Sequence, residues 1–519
     1  MSRDRLIVAA VAVLMVSGSP VLRAQTFPTD DPVIEAMWQE GMVNSHAYRL
    51  AQVLMDSIGP RLTGSPGQKA ANDWAVATYR SWGIDARNEQ YGTWRGWRRG
   101  VTHLDLVEPR VRTLEGTMLA WSPGTDGKVG AGVMMLPDIA DSSEFAAWLP
   151  AVEGRFVLMS FPQPTCRTDD NWEEYATEDS FERMRAMRDT ARMQWTERMR
   201  RTGFNSSELP QVLEEAGAVG ILTSNWPRGW GVTRIFSART ESVPTLDLSC
   251  EDYGLVYRLA ENEQSPVLEL EAAAEFLGEV PVYNTIATIP GSERPDEYVL
   301  LSAHFDSWDG ASGATDNGTG SVTMLEAMRI LKATYPNPKR TIIAGHWSGE
   351  EQGLNGSRAF AADHPEVVEG LQVLFNQDNG TGRVVTISMQ GLPEAGGFFG
   401  RWLAKIPEEI TRHIDLRLPG MPGGGGSDYA SFICAGAPAF SLSSLSWAYG
   451  PYTWHTNRDT FDKIVFDDLE NNATLTAMLA YLASEDSERI PRDKRLLPVS
   501  RRTGRQMTWP RCRDGRRSF

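Results

Sequence analysis

The chain has 519 residues, of which 23% are charged and 41% are hydrophobic, and its formal net charge is -16. This composition is typical of an ordinary globular protein, and the length allows more than one domain around a large core. The acidic balance excludes a surface suited to non-specific nucleic-acid binding, and we expect no nucleic-acid partner.

The N-terminus has the order of features that a secretory signal has. Arg3 and Arg5 precede an apolar run over residues 6–16, and the small residue Ala24 follows at a possible cleavage point. Because the run is too short to span a bilayer, a signal peptide over residues 1–24 is the better interpretation, with an uncleaved anchor as the alternative. We expect an exported protein, periplasmic or extracellular, with no stable membrane span after cleavage.

The cysteines are widely separated and form no CxxC pair; they are Cys166, Cys250, Cys434 and Cys512. Export permits disulfides, but spacing alone cannot pair these residues. We expect that no disulfide is essential and that a large core stabilises the fold.

Helical patterns come first along the chain. Apolar residues recur at helical spacing in residues 31–42, 45–58 and 69–84, and the loop "GPRLTGSPG" lies over residues 59–67. The helical pattern gives way to a different one over residues 98–279, where short apolar runs such as "EGRFVLMSF" and "SVPTLDLS" predict buried strands.

One long helix is predicted within this middle segment, over residues 180–201. Its apolar residues fall on one face of an arginine-rich sequence; they are Phe181, Met184, Met187, Ala191, Trp195 and Met199. We expect this face to pack on its own domain, with a partner surface or a substrate lid as the alternative.

From residue 298 onwards, strands alternate with helices. "YVLLSA", "RTIIAG" and "GLQVLFNQD" predict strands, and "SVTMLEAMRILKA" predicts a helix between the first two. The alternation predicts an α/β fold with an open, mainly parallel sheet and helices on both faces. The basic segment 488–519 is poor in apolar residues, and we expect it to be disordered.

Acidic and imidazole side chains follow the predicted strands of this sheet. They are His304, Asp306, Asp316, Glu350, Glu351, Asp378 and His455. Each motif alone is weak, but strand ends of an open α/β sheet meet at one edge, so the set predicts a single metal site. Histidines and carboxylates without thiolates suit catalytic zinc, and their number suits two ions sharing a bridging carboxylate, with a separate general base.

These motifs resemble the M28 family of zinc exopeptidases. The resemblance rests on "SAHFDSWDGASGATDNGTGS", "SGEEQGLNGS", "NQDNGT", "GGSDYASF" and "HTNRDT", in that order. The residues of the first motif and of the 59–67 loop are most similar to those of the carboxypeptidase Q branch. Asn317 departs from that branch, whose members tend to carry an acid there, and is similar to many aminopeptidases of the family.

The resemblance implies a discontinuous catalytic domain of zinc exopeptidase fold over residues 31–97 and 280–487. It also implies that residues 98–279 form an inserted, β-rich protease-associated domain. The segment 488–519 would then be a tail outside both domains.

The resemblance also implies roles for the site residues. Five would hold two zinc ions: His304 and Asp378 on one, Glu351 and His455 on the other, and Asp316 bridging both. Glu350 would be the general base, and Asp306 would orient the His304 imidazole. Asp428 and Asp459 occupy other family positions and are expected to be structural or supporting. Residues 423–426, beside Ser427 and Tyr429, are glycines that form either a mobile loop near the site or a plain connector.

The expected function is a secreted di-zinc exopeptidase that acts on short peptides through a metal-bridging hydroxide, as a dipeptidase or carboxypeptidase. The alternative is an aminopeptidase that acts on longer peptides. A transferrin-receptor-like binding protein is disfavoured because all implied ligands are present. A glutaminyl cyclase-like acyltransferase is disfavoured by the inserted domain and by the ligand-rich "HFDSWDG" stretch. The sequence leaves the oligomeric state open, a homodimer included.

Overall fold

The computed structural model describes residues 30–378 and 380–519. The predicted signal peptide over residues 1–24 lies outside the described residues. Within the described ranges, no helix has the length and apolar character that crossing a membrane requires.

The described residues form 14 strands. Their bounds are β1 Asp85–Glu108, β2 Arg112–Thr113, β3 Gly116–Met118, β4 Val129–Met135, β5 Phe156–Leu158, β6 Gly220–Thr223, β7 Thr245–Leu248, β8 Val267–Ile289, β9 Arg294–His304, β10 Arg340–Trp347, β11 Leu371–Asn376, β12 Val384–Ser388, β13 Asp415–Arg417 and β14 Ala439–Ser444.

The α-helices of the described residues have the following bounds. They are α1 Pro32–Trp38, α2 Ala47–Gln52, α3 Pro66–Ser81, α4 Ser142–Trp148, α5 Asp170–Tyr175, α6 Ser180–Arg201, α7 Leu209–Glu215, α8 Cys250–Glu261, α9 Thr319–Thr334, α10 Asn355–Asp363, α11 Pro365–Gly370, α12 Ala395–Leu403, α13 Glu408–Thr411, α14 Ala430–Ile433, α15 Tyr449–Tyr452 and α16 Phe466–Glu485.

The centre of the sheet is parallel. Strand β9 pairs in parallel with β10 on one side and with β11 on the other, and β11 pairs in parallel with β14. Every side chain of β10 and β11 is buried. Strands buried on both sides need cover on both faces, so the predicted α/β fold is confirmed. Because β9, β10 and β11 are parallel, their carboxyl ends lie at the same edge of the sheet.

The sequence did not predict the long ribbon that β1 and β8 form. These strands pair antiparallel from Asp85 and Thr288 to Glu108 and Val267, with bulges along the way. The predicted domain boundaries, between residues 97 and 98 and between 279 and 280, fall inside the two strands. One hydrophobic cluster draws on residues 34–86 and 286–490, and the other draws mainly on residues 91–282.

The predicted arginine-rich helix forms as α6, but only part of its apolar face is covered. Met184 and Trp195 are buried, and Trp195 joins the second hydrophobic cluster. Met187, which lies on the predicted face, is 58% exposed. The helix therefore packs on the second hydrophobic cluster at Trp195, while Met187 of the predicted face remains in solvent.

All four cysteines are paired, as Cys166–Cys250 and Cys434–Cys512. The expectation that the fold rests on its core alone therefore needs correction. Spacing could not reveal the pairs because they close loops of 84 and 78 residues.

The expected disorder of residues 488–519 is not what the structure shows. Beyond Cys512, the segment packs along strand β1. The backbone carbonyl of Arg517 accepts from the Thr93 amide at 2.8 Å, and the Phe519 ring lies 5.5 Å from that of Trp94. Composition misled here because a few aromatic contacts and one disulfide, rather than an internal core, order the tail.

The tail can be tested by trypsin, since it carries arginines at positions 501, 502, 505, 511, 513, 516 and 517. A packed, disulfide-linked tail must open before it is cut and released. We expect non-reducing intact mass to retain residues 506–519 long after a Cys434→Ser/Cys512→Ser variant has lost them. Equal release from both proteins would contradict the packing described here.

Candidate metal centre and active site

Asp316 lies at the middle of the site, between two histidines. Its Oδ1 is 3.4 Å from His304 Nε2, and its Oδ2 is 3.3 Å from His455 Nε2. His304 is the last residue of β9, and His455 follows α15 with a left-handed backbone at φ 57°. A non-glycine residue rarely adopts that conformation, and here it accompanies a buried side chain at the site.

Two clusters of possible metal ligands share Asp316. One consists of His304, Asp316 and Asp378, and the other of Asp316, Glu351 and His455; within each, the ligand atoms lie within 4.8 Å of one another. His304 Nε2 is 3.1 Å from Asp378 Oδ1, and His455 Nε2 is 2.9 Å from Glu351 Oε2. The structure thus brings together the five side chains that the sequence singled out as ligands.

The Asp316 loop is held by its backbone. Both carboxylate oxygens of Asp459 accept amide hydrogens, from Thr315 at 2.8 Å and from Asp316 at 3.0 Å. These two hydrogen bonds are the kind of supporting role expected for Asp459. Burial raises the pKa of its carboxyl group to about 7. Such a clasp leaves the Asp316 side chain free to face the two imidazoles.

Arg61 braces the same loops, and sequence reasoning missed it. Its guanidinium is fully buried and donates to the carbonyls of Phe305, Ser312 and Gly313 at 2.7–2.9 Å. Burial lowers its pKa to about 10, and the charges of Asp459, Asp306 and Asp316 oppose that shift. The signal was present in the "GPRLTGSPG" loop, but a single arginine in a loop does not show what it binds.

Asp306 holds the paired glutamates by their backbone. Its Oδ1 accepts from the Glu350 amide and its Oδ2 from the Glu351 amide, both at 3.2 Å. The carboxylate lies 3.7 Å from His304 Nδ1, whereas the Asp306 backbone carbonyl lies 3.0 Å from that nitrogen. The predicted contact between Asp306 and the His304 imidazole is thus made at hydrogen-bond distance by the backbone carbonyl. The Asp306 carboxylate has a second role that was not predicted, which is to hold the backbones of both glutamates.

The two glutamates point to different partners. Glu351 Oε2 accepts from the Trp308 indole at 2.8 Å and faces His455. Glu350 lines the open side of the site, in a cavity of about 470 Å³ that also contains Asp316, Asp378 and Tyr449. Trp308 and Tyr449 were not predicted, because no spacing rule connects them to the ligand motifs.

The electrostatics of the site are set by burial. Burial raises the pKa of Glu350 well above its ordinary value and lowers that of His455 to about 4. Burial acts in the same direction on His304, but the charges of Asp378 and Glu350 outweigh it and hold that pKa well above normal. The cluster therefore carries more buried negative charge than its imidazoles neutralise.

The donor set fits zinc. Asp316 Oδ2 and Glu351 Oε1 are buried and make no hydrogen bond, which is uncommon for buried carboxylate oxygens unless a cation takes that place. Imidazole nitrogens and carboxylate oxygens without a thiolate are the ligands of catalytic zinc sites. The residues present therefore match the metal that the sequence predicted.

The remaining predicted residues lie beside the centre. Asp428 is buried, which raises its pKa to about 7, and the Ser427 hydroxyl accepts from the Asn376 side chain at 2.8 Å. The glycines at 424–426 line the cavity, while Tyr429 packs against the first hydrophobic cluster. His346 instead bonds to Tyr79 in the core, at 2.7 Å.

Residues 284–480 match the family described as peptidase family M28. Carboxypeptidase Q from Mus musculus is 24% identical over 87% of this chain and 88% of its own length, and the Homo sapiens protein is 23% identical over the same shares. A solved peptidase M28 precursor from Shewanella amazonensis is 25% identical, has a TM-score of 0.65 and covers 88% of this chain and 97% of that one. A zinc aminopeptidase from Bacillus subtilis has a TM-score of 0.55 at 18% identity, covering 86% and 97%.

The fold and the site define a zinc-dependent metallopeptidase that acts on peptide substrates. The class was expected from the strand-end acids and histidines, and it is confirmed. The chain carries a peptidase family M28 domain, and the resemblance seen in its motifs is confirmed as well.

Replacing Asp306 tests the backbone clasp. In Asp306→Asn, one side-chain oxygen is replaced by an amide donor that faces an N–H group, so Glu350 and Glu351 lose their common anchor. We expect kcat/KM to fall about 10- to 100-fold while circular dichroism stays unchanged. Thr63→Val removes only one hydrogen bond to Asp306 and should cost less. Equal activity of Asp306→Asn and wild type would refute the clasp.

Proposed function

We propose that this protein is a di-zinc exopeptidase that hydrolyses short peptides, acting as a dipeptidase or carboxypeptidase. The observation that carries the proposal is the pair of ligand triads that share Asp316, with Glu350 in the same cavity. One ion would be held by His304, Asp316 and Asp378, and the other by Asp316, Glu351 and His455.

The protein's own groups divide the chemistry between them. Zinc at such a site supplies a Lewis acid that polarises the peptide carbonyl and makes water more acidic. Glu350 takes a proton from the attacking water and returns it to the leaving amine as the C–N bond breaks. Burial raises the pKa of Glu350, and the positive charge of zinc bound beside it would act in the opposite direction.

Two further groups support this chemistry. Tyr449 lines the cavity beside Asp316 and Asp378, where its hydroxyl can donate to the oxygen that becomes negative during attack. Asp306 accepts hydrogen bonds from the backbone amides of Glu350 and Glu351. These two bonds hold Glu350 as the base and Glu351 as a ligand.

The size of the cavity favours small substrates. Its volume of about 470 Å³ lies within the range of about 300–1,000 Å³ that is typical of small-molecule sites. The likeness to carboxypeptidase Q over 87% of the chain supports action as a carboxypeptidase. The alternative, release of N-terminal residues from longer peptides, rests on the fold shared with the Bacillus subtilis aminopeptidase.

Location and domain organisation complete the proposal. Two disulfides are typical of a protein that folds in an oxidising compartment, which supports export beyond the cytosol. We further propose that residues 98–279 form a protease-associated domain, inserted between the two parts of the catalytic domain, 31–97 and 280–487. Most residues of the second hydrophobic cluster come from this segment, which supports the proposal.

Parallel assays test this function. We expect the zinc-loaded protein to hydrolyse free dipeptides at least tenfold faster than N-blocked or C-blocked dipeptides. Glu350→Gln should keep its zinc and lose about 10²- to 10⁴-fold in kcat, which ties the hydrolysis to this site. Faster cleavage of C-blocked aminoacyl amides would favour the aminopeptidase. Near-wild-type turnover by Glu350→Gln would show that Glu350 is not the general base.

A further inference from the structure

The cavity that holds Glu350 also contains two guanidinium groups, those of Arg358 and Arg513. Arg358 comes from α10, and Arg513 comes from the C-terminal tail. Within residues 30–378 and 380–519, the structure shows no salt bridge and no side-chain hydrogen bond for either group. All the other charged residues that line this cavity, apart from His455, are acidic.

The two arginines lie close enough to affect each other. Burial, and then repulsion by Arg513, lower the pKa of Arg358, while Asp428 and Glu350 act against the shift. Arg358 is half-buried and Arg513 is exposed. Two unpaired cations side by side repel, and an anion placed between them would remove that cost and accept charge-assisted hydrogen bonds from both.

Arg513 is held in place from both sides. On one side, Cys512 is bonded to Cys434. On the other, the Arg516 amide donates to the Asn355 side chain at 3.0 Å.

Gly515 shows how closely the tail approaches α10. A Cβ at Gly515 would lie 2.5 Å from the Asn355 carbonyl oxygen and 3.1 Å from the Arg358 Cβ. Only a glycine fits so near a neighbouring backbone. The tail is therefore built to run over the first turn of α10 and to bring Arg513 beside Arg358.

We infer that Arg358 and Arg513 form a binding site for the free carboxylate of the peptide substrate, and that the disulfide-anchored tail supplies half of it. This inference rests on the proposed function, because it names the end of the substrate that the cavity recognises. A short peptide whose carbonyl lies at the zinc ligands would present its C-terminal carboxylate to these two cations. The site would select peptides by their charge and their length together.

The test compares alanyl-leucine with alanyl-leucinamide, which lacks only the carboxylate charge. In the zinc-loaded enzyme, Arg513→Ala should lower kcat/KM for alanyl-leucine about 10- to 100-fold, mostly through KM, and change the amide less than about twofold. Arg513→Lys should recover part of the loss. Arg511→Ala, on the same tail but outside the cavity, should change neither substrate.

The tail anchor should give the same selective loss. In Cys434→Ser/Cys512→Ser, KM for alanyl-leucine should rise while kinetics with the amide hold, because Arg513 loses its position. An equal effect of Arg513→Ala on both substrates would mean that the arginine only supports the fold or balances nearby acids. An unchanged response to both would overturn the inference as well.

Binding separates this inference from the proposed function. In zinc-loaded Glu350→Gln, calorimetry should show tighter binding of alanyl-leucine than of its amide, and adding Arg513→Ala should remove the difference. If wild type hydrolyses no peptide but this difference is present, the proposed function fails and the carboxylate site stands. If wild type hydrolyses peptides and the difference is absent, the carboxylate site fails and the proposed function stands.

Discussion

The repulsion between buried carboxylates is the constraint on which the site depends. Asp316, Glu351 and Asp378 lie around two imidazoles at the edge of the sheet. Two such charges about 4 Å apart repel by roughly 4 kcal/mol at an effective dielectric constant of about 20. Hydrogen bonds relieve this only in part: Glu351 Oε2 accepts from Trp308, whereas Asp316 Oδ2 and Glu351 Oε1 accept no hydrogen bond. Bound cations would relieve it, and in the proposed di-zinc site the shared aspartate would let two of them bind side by side.

The fold meets this constraint by fixing backbones rather than side chains. Asp459 holds the amide of Asp316, Asp306 holds the amides of the glutamate pair, and Arg61 binds the carbonyls of the intervening loop. Each clasp uses a buried charge of its own, which is costly unless it is well bonded. The result is a set of ligands whose directions are set before any ion or substrate arrives.

The parallel core and the residues at its strand ends could be predicted because the information is local. A strand such as β9 is visible as an apolar run, and His304 follows it directly. The β1–β8 ribbon could not be predicted, since residues 109–266 lie between its two strands in the sequence. The packed tail was missed for the same reason: Cys512 and Phe519 are ordered by residues far away in the chain.

Zinc content is the measurement that tests the central claim most directly. After equilibration in buffered zinc, the wild-type chain should retain two ions, and Asp316→Asn should retain at most one, because asparagine offers a single oxygen and no negative charge to the two triads. Glu350→Gln serves as the control and should retain two. Two tightly held ions in Asp316→Asn would contradict the account, since the aspartate between the histidines would then not be the residue that joins the two triads.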